Sequence, residues 1–377
     1  MQFKDIIGQS HLKHNLTASV REGHVPHAQM FLGQLGYGGL PLALAYAQYL
    51  NCANPQPEDS CGECPSCMKM QKLAHPDLHF SFPFPSVDKR KISTESITEW
   101  REVLQVSPYL SLHRWMVKFN AENKQPNIPI TECHDVMRRL SFKAYESGYK
   151  IMVIWLPEYL GKEGNTLLKI LEEPPAQTVF LLVAENLETV LNTIISRTQI
   201  IKISPIDQQE LADALVERQQ MQPDEAYRIA GLANGDYIES LELLNHSAAE
   251  HAGLFEQWMN VLLGNKAEPM GMVKFADVFG ALGRESQKSF ILYALHMLKE
   301  VLHLQVFGKP SSVLTGSEKS VVSDMAGKFN QSRMQRMADW LNEAHYHVER
   351  NASGKMMMLD LSVRIGKLVG KFENEMI

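Results

Sequence analysis

Ala28-Gln29-Met30-Phe31-Leu32-Gly33-Gln34-Leu35-Gly36-Tyr37-Gly38-Gly39-Leu40-Pro41-Leu42 decides how the first half of this chain folds. Ala28 to Leu32 reads as a buried strand, the glycines that follow as a tight turn, and Leu42 to Leu50 as a helix. Working outward, Lys150 to Trp155, Val179 to Val183 and Ile200 to Ile203 are further short apolar runs of strand length. A helical stretch with Leu167, Leu168, Ile170 and Leu171 lies between the second and third, and Pro174-Pro175 stops it through ring sterics. Strand, crossover helix and strand repeated in this way predict an α/β unit, a parallel sheet covered on both faces.

The rest of the 377 residues bounds the class. Hydrophobic residues make up 45% and charged residues 21%, a globular balance long enough for two or three domains. No apolar run approaches the roughly 18 to 20 residues of a membrane span, and Met1-Gln2-Phe3-Lys4-Asp5 lacks the layout of a secretory signal, so the expectation is cytoplasmic with no membrane partner. The net charge is −6, with 22 basic against 30 acidic residues in 1–250 and 15 against 13 in 251–377. That balance argues against tight DNA binding by the chain alone. After Pro205 the pattern changes to short helices over 207–245, then to long amphipathic helices from about residue 253, interrupted near Gly308-Lys309-Pro310-Ser311-Ser312. Residues 83–129, rich in proline, read as an inserted loop-rich segment.

Two motifs carry chemistry. Cys52, Cys61, Cys64 and Cys67 fall within sixteen positions, with Gly62 and Pro65 supplying turns. Thiolates bind zinc tetrahedrally, and in a reducing compartment such clustering points to a metal rather than a disulfide. Four thiolates leave no open position, so the expected Zn2+ is structural. A redox role for Cys64-Pro65-Ser66-Cys67 fits less well, with no thioredoxin-type strand before it. The second motif is the glycine turn. A phosphate-binding loop has the form G-x-x-x-x-G-K-[ST] between strand and helix. Gly33 and Gly38 match it and Gly36 is an extra glycine, but Gly39 stands where lysine reaches the phosphates and Leu40 where a hydroxyl holds Mg2+. In Val153-Ile154-Trp155-Leu156-Pro157-Glu158, apolar residues and proline take the place of the metal-binding acid, leaving only Glu158 nearby. Both halves of an ATP site have failed together, which predicts no ATP hydrolysis by this chain.

At these residues the sequence resembles the clamp-loader ATPases of bacterial DNA polymerase III, gamma/tau and delta-prime. The resemblance covers residues 3–250, and more weakly the remainder. It rests on Phe3-Lys4-Asp5-Ile6-Ile7-Gly8-Gln9, His27-Ala28, the cysteine spacing and Ala74-His75-Pro76-Asp77. Asn165-Thr166-Leu167-Leu168-Lys169-Ile170-Leu171-Glu172-Glu173-Pro174-Pro175 is the most specific match. Thr193-Ile194-Ile195-Ser196-Arg197-Thr198 is similar to the family's Ser-Arg-Cys motif, with Thr198 in place of cysteine, and Asn351-Ala352 with Lys355 and Leu359 resembles a C-terminal signature.

The resemblance implies an AAA+ fold. Residues 1–205 would be a degenerate nucleotide-binding-type domain with a zinc module at 52–67, 206–250 a small helical lid, and 251–377 an all-α collar for oligomerisation. The lost lysine and hydroxyl imply the delta-prime branch, a non-catalytic stator that binds no ATP for turnover. Its partners would be gamma/tau and delta subunits, the sliding clamp and primed DNA, within a DNA-directed DNA polymerase III holoenzyme. Arg197 would be offered in trans to ATP on a neighbouring subunit, since guanidinium is always charged and meets phosphate oxygens with paired hydrogen bonds. The competing readings are a gamma/tau-type motor and a stand-alone zinc-dependent nucleic-acid-binding protein. Blander roles are expected elsewhere. Glu172-Glu173 belong to a helix end and its inter-subunit surface, Met356-Met357-Met358 are collar core, Cys133 is a lone buried or partly buried thiol, and Arg138, Arg139 and Lys143 form a solvated face. His75 and His79 are not expected as ligands.

Overall fold

The computed structural model describes residues 1–85, 92–121, 124–146, 148–245, 248–264, 269–309, 314, 316–349 and 352–370. The chain divides into two compact units. The first takes in Met1–Ala230 and Asn234–Ile238, the second Gly231–Ala233 and Glu239–Ile377.

In the first unit the strands are β1 (Ala28–Leu32), β2 (Leu78–Ser81), β3 (Phe84–Pro85), β4 (Pro126–Asn127), β5 (Lys150–Trp155), β6 (Thr178–Ala184) and β7 (Gln199–Lys202). Five of them form one sheet in the order β2-β5-β6-β1-β7, every pairing parallel. Every residue of β5 and β6 is buried, as expected of strands covered on both faces. The helices of this unit begin with α1 (Ser10–Arg21), α2 (Gly39–Leu50), α3 (Pro65–Gln71), α4 (Ile97–Val106), α5 (Leu112–Val117) and α6 (Ile130–Ser141). A run of 3-10 turns, Pro157–Leu167, then leads into α7 (Leu168–Glu172), followed by α8 (Asn192–Ile195), α9 (Gln208–Gln219) and α10 (Pro223–Leu232).

Two apolar layers cover the sheet. Helices α2, α4 and α5 pack Leu42, Tyr46, Trp100 and Trp115 with Phe31, Val153 and Val183 on one face. On the other, Val136 of α6, Leu160, Leu171 of α7 and Ile194 of α8 pack with Met30, Met152 and Phe180. The chain leaving β1 therefore turns to one face, and the chain leaving β5 and β6 to the other. Adjacent strands whose connections part in this way open a crevice at their carboxyl ends, where ligands of such sheets bind. The glycine turn after β1 lies at that crevice.

The segment 83–129 differs from its reading as a loop-rich insertion. Its described residues hold α4, α5 and the short β3–β4 ladder. Its Trp100 and Trp115 belong to the sheet's own core, with Phe82 stacked 4.2 Å from Trp100 and Trp155 5.2 Å from it.

The second unit is helical: α11 (Tyr237–Asn245, which begins in the first unit), α12 (Ala248–Leu263), α13 (Pro269–Ala281), α14 (Arg284–Phe307), α15 (Gly316–Lys328), α16 (Gln331–Glu349) and α17 (Gly354–Leu368). Trp258, Phe275, Phe279 and Phe290 form its aromatic centre, and Trp258 Nε1 donates to Ser362 Oγ at 2.9 Å. Within α14, Ser286–Phe307 is apolar and long enough to cross a membrane, which reading the sequence by continuous runs missed. Phe290, Ile291, Ala294, Met297 and Val301 are buried in this unit's core, the pattern of a central helix. The methionine run is only partly core. Met358 is fully buried, whereas Met356 is 63% exposed and lines a groove beside Trp340 and His347. Asn351 and Pro310-Ser311-Ser312 lie outside the described residues.

Candidate functional site

Gly33 begins the turn by donating its N–H to Ala184 O at 3.0 Å, which keeps the loop against β6. A side chain at residue 33 would stand 2.7 Å from Ile203 O, so the position requires glycine. Leu35–Tyr37 then make one 3-10 turn. Tyr37 N–H donates to Gln34 O at 2.9 Å and Gly38 N–H to Leu35 O at 3.4 Å. Gly38, at φ 96°, caps the start of α2, which only a residue at ease with left-handed geometry does without strain. Two N–H groups that a phosphate cradle would present are thus spent inside the turn.

The space over the loop is filled by the chain itself. A Cβ on Gly36 would lie 1.6 Å from Asp236 Oδ1, so that carboxylate rests on the glycine's bare face. A Cβ on Gly38 would lie 3.3 Å from the Tyr109 ring. The Tyr109 hydroxyl accepts the Ile7 N–H at 3.0 Å, and burial raises its pKa to about 12. Leu40 is 2% exposed and belongs to the core. Around Gly39 the nearest side-chain atoms are Val183 Cγ1, Ile203 Cγ1 and Phe31 Cβ, all apolar.

At the end of β5, Trp155 is fully buried and Leu156 takes a left-handed φ of 56°. Glu158 turns inward. Its Oε1 accepts the N–H groups of Glu185 at 2.6 Å and Asn186 at 3.0 Å, and burial raises its pKa. This carboxylate ties β5 to the end of β6.

The four cysteines come together between α2 and α3. Their sulfurs all lie within 4.8 Å of one another, with Cys52–Cys61 at 3.5 Å and Cys61–Cys67 at 3.9 Å. Four thiolates around zinc at about 2.3 Å have edges of roughly 3.8 Å, so the group is sized to hold that ion. Gly62, at φ 77°, turns the chain between ligands, and Cys64 caps α3, which carries Cys67. Backbone N–H groups of Cys61, Cys64 and Cys67 donate to the sulfurs of Cys52, Cys61 and Cys64 at 3.3, 3.4 and 3.4 Å. Burial works against the Cys64 thiolate, yet such bonds draw its pKa down to about 7. All five cysteines are unpaired by disulfides, Cys133 among them and fully buried. His75 and His79 stand outside the cluster. Asp77 of the His75-Pro76-Asp77 stretch accepts the N–H groups of Tyr145 and Glu146 at 2.7 and 2.8 Å, a structural role.

Arg197 follows α8 and is tethered within the chain. Its Nε donates to Glu172 Oε1 at 2.7 Å and Nη2 donates to the same oxygen. Nη1 donates to Thr193 O at 2.9 Å and Ser196 Oγ at 3.0 Å. The Arg197 side chain is 30% exposed and that of Glu172 50%. Sequence reasoning singled out the arginine but not this bond, and it found neither Asp236 nor Tyr109. Spacings of 200 and 71 residues from the glycines leave no local signal.

Comparison with known proteins gives the family. The model of the family described as DNA polymerase III, delta subunit, matches residues 8–207, and the chain belongs to that family, clamp-loader proteins of AAA+ type that serve DNA replication. The DNA polymerase III subunit gamma of Buchnera aphidicola is 26% identical over 300 residues, 77% of this chain and 70% of that protein. Subunit delta' of Bacillus subtilis is 25% identical over 275 residues, 67% and 70% of the two chains. For subunit delta' of Escherichia coli the figures are 27% over 197 residues, 52% and 47%. The relatives thus carry gamma and delta-prime names at nearly equal identity.

Proposed function

We propose that this chain is a delta-prime-type subunit of the DNA polymerase III clamp loader, a stator that turns over no ATP itself. The glycine loop carries the reading. Lysine and hydroxyl positions are held by Gly39 and Leu40, Leu40 is core, and Asp236 and Tyr109 close the space where phosphates would lie. A motor of gamma/tau type would need a lysine and a hydroxyl where Gly39 and Leu40 stand. Arg197 is the residue offered in trans to ATP on an adjacent gamma/tau subunit. Residues 1–205 would form the nucleotide-binding-type domain, 206–250 the lid and 251–377 the collar. The assembly would bring in the delta subunit, the sliding clamp and primed DNA in the cytoplasm. Zinc, held by Cys52, Cys61, Cys64 and Cys67, would supply structural cross-linking only.

The test uses the purified chain and the reconstituted complex. The chain alone should contain one zinc and neither bind nor hydrolyse ATP, and Arg197→Ala should lower the ATPase rate of the complex at least tenfold, below the 10³ or more attributed to arginine fingers elsewhere. Turnover by the chain alone that disappears on mutating the loop, or a complex indifferent to Arg197→Ala, would refute the reading.

A further inference from the structure

We propose that Glu172 is the resting counter-ion of Arg197, displaced when the arginine engages a neighbour's nucleotide, so that it sets how readily the arginine is delivered. The inference rests on the trans role given to Arg197 above. A guanidinium has five N–H donors. Four of those on Arg197 are committed within the chain, two of them to Glu172 Oε1 and two to Thr193 O and Ser196 Oγ. One Nη2 N–H is left, whereas paired recognition of phosphate oxygens takes two. Arg197 therefore cannot meet a phosphate in this manner while Glu172 holds it.

The geometry assigns the two sets of bonds different parts. Nη1 is fixed by the backbone of α8 and by Ser196, close to the arginine in sequence. Those bonds can persist while the opposite edge, Nε and Nη2, is exchanged. That edge faces Glu172, the last residue of α7, half exposed and free to swing toward water. A triphosphate carries several negative charges where the carboxylate has one, so the exchange favours nucleotide and reverses once phosphate leaves. An ion pair this exposed holds weakly enough to be exchanged.

Steady-state ATPase of the reconstituted clamp loader, measured against ATP concentration, tests this with wild type, Glu172→Gln, Arg197→Ala and the double variant. Glutamine keeps the size and one acceptor but removes the charge. Glu172→Gln should lower the apparent KM for ATP about two- to fivefold without lowering kcat, the scale of an exposed ion pair. The shift should vanish in the Arg197→Ala background, and Glu172→Asp, which keeps the charge, should restore KM toward wild type. A raised KM or reduced kcat for Glu172→Gln would make Glu172 an orienting group and overturn the proposal. So would an equal shift in the Arg197→Ala background, which would mark a purely structural effect. If Arg197→Ala alone changes nothing, the trans role itself fails and the inference falls with it.

Discussion

Glu132 and Arg139 lie one above the other on α6, and their surroundings differ from the solvated face that the basic residues of this helix suggest. Glu132 is fully buried and accepts the N–H and hydroxyl of Ser93 at 2.7 and 2.6 Å, and Arg139 Nη2 at 2.8 Å. The Arg139 side chain is 10% exposed and also pairs with Asp135 at 2.8 Å. Removing Glu132 takes one of two carboxylates from Arg139, which keeps Asp135, and leaves the buried Ser93 N–H without its acceptor. Glu132→Ala is therefore expected to lower stability by about 1–3 kcal/mol, the cost of a buried donor left unmade, read as a shift in urea midpoint at unchanged slope. Arg138, one residue earlier, is 64% exposed and fits the sequence reading. Charge and helical spacing cannot separate Arg138 from Arg139, because the latter is drawn inward by a bond from Nη1 to Phe80 O at 2.9 Å, far off in sequence. The same limit applies at Arg197. Its motif is legible only through a family resemblance, and its bond to Glu172 only in three dimensions.

Among the elements, β1, β5 and β6 were plain in the sequence because strands buried on both faces leave continuous apolar runs. The edge strand β2, Leu78-His79-Phe80-Ser81, leaves no such run, and α4 and α5 sit among prolines that read as loop. Helix α2 begins at Gly39 rather than Leu42, since Gly38 serves as its cap and Pro41 is tolerated in a first turn. Glycines separate by location. At Gly33 a methyl group would press on the Ile203 carbonyl, while at Gly253, inside α12, it would meet nothing within 4 Å. Gly33→Ala should thus cost about 1–3 kcal/mol and Gly253→Ala should gain about 0.5–1 kcal/mol. Thermal melts of the two variants should move in opposite directions.

For the whole molecule, pH is a sensitive probe of the first unit. Burial, then the positive charge of Arg139, lowers the pKa of His79 from 6.5 to about 4, with Lys150 acting the same way and Asp77 and Asp135 opposing. Between those values the unfolded chain binds a proton that the folded chain refuses. Stability should therefore fall as pH drops from about 6.5 to about 4, by on the order of 3 kcal/mol, and His79 should add nothing further below that. His79→Gln should flatten this part of the stability profile relative to wild type, and a parallel profile would show that other groups control it. At this scale the sequence distinguished a sheet-containing half from a helical half. The unit boundary was less accessible, because it runs through α10 and α11 and no composition shift marks it.

The filling around Gly39 and Leu40 also bears on ancestry. The β-carbon of a lysine introduced at residue 39 would meet Val183, Ile203 and Phe31 at ordinary contact distance, whereas a threonine at residue 40 would bury a hydroxyl in the core. Neither substitution helps before the other, and the second acts against packing that has settled around Leu40. On the proposed stator reading the loop works as a ratchet: with Asp236 and Tyr109 lying over it and Leu40 in the core, an ATP site could not be regained here by reverting two codons, and a lineage starting from this chain would have to rebuild the neighbourhood first.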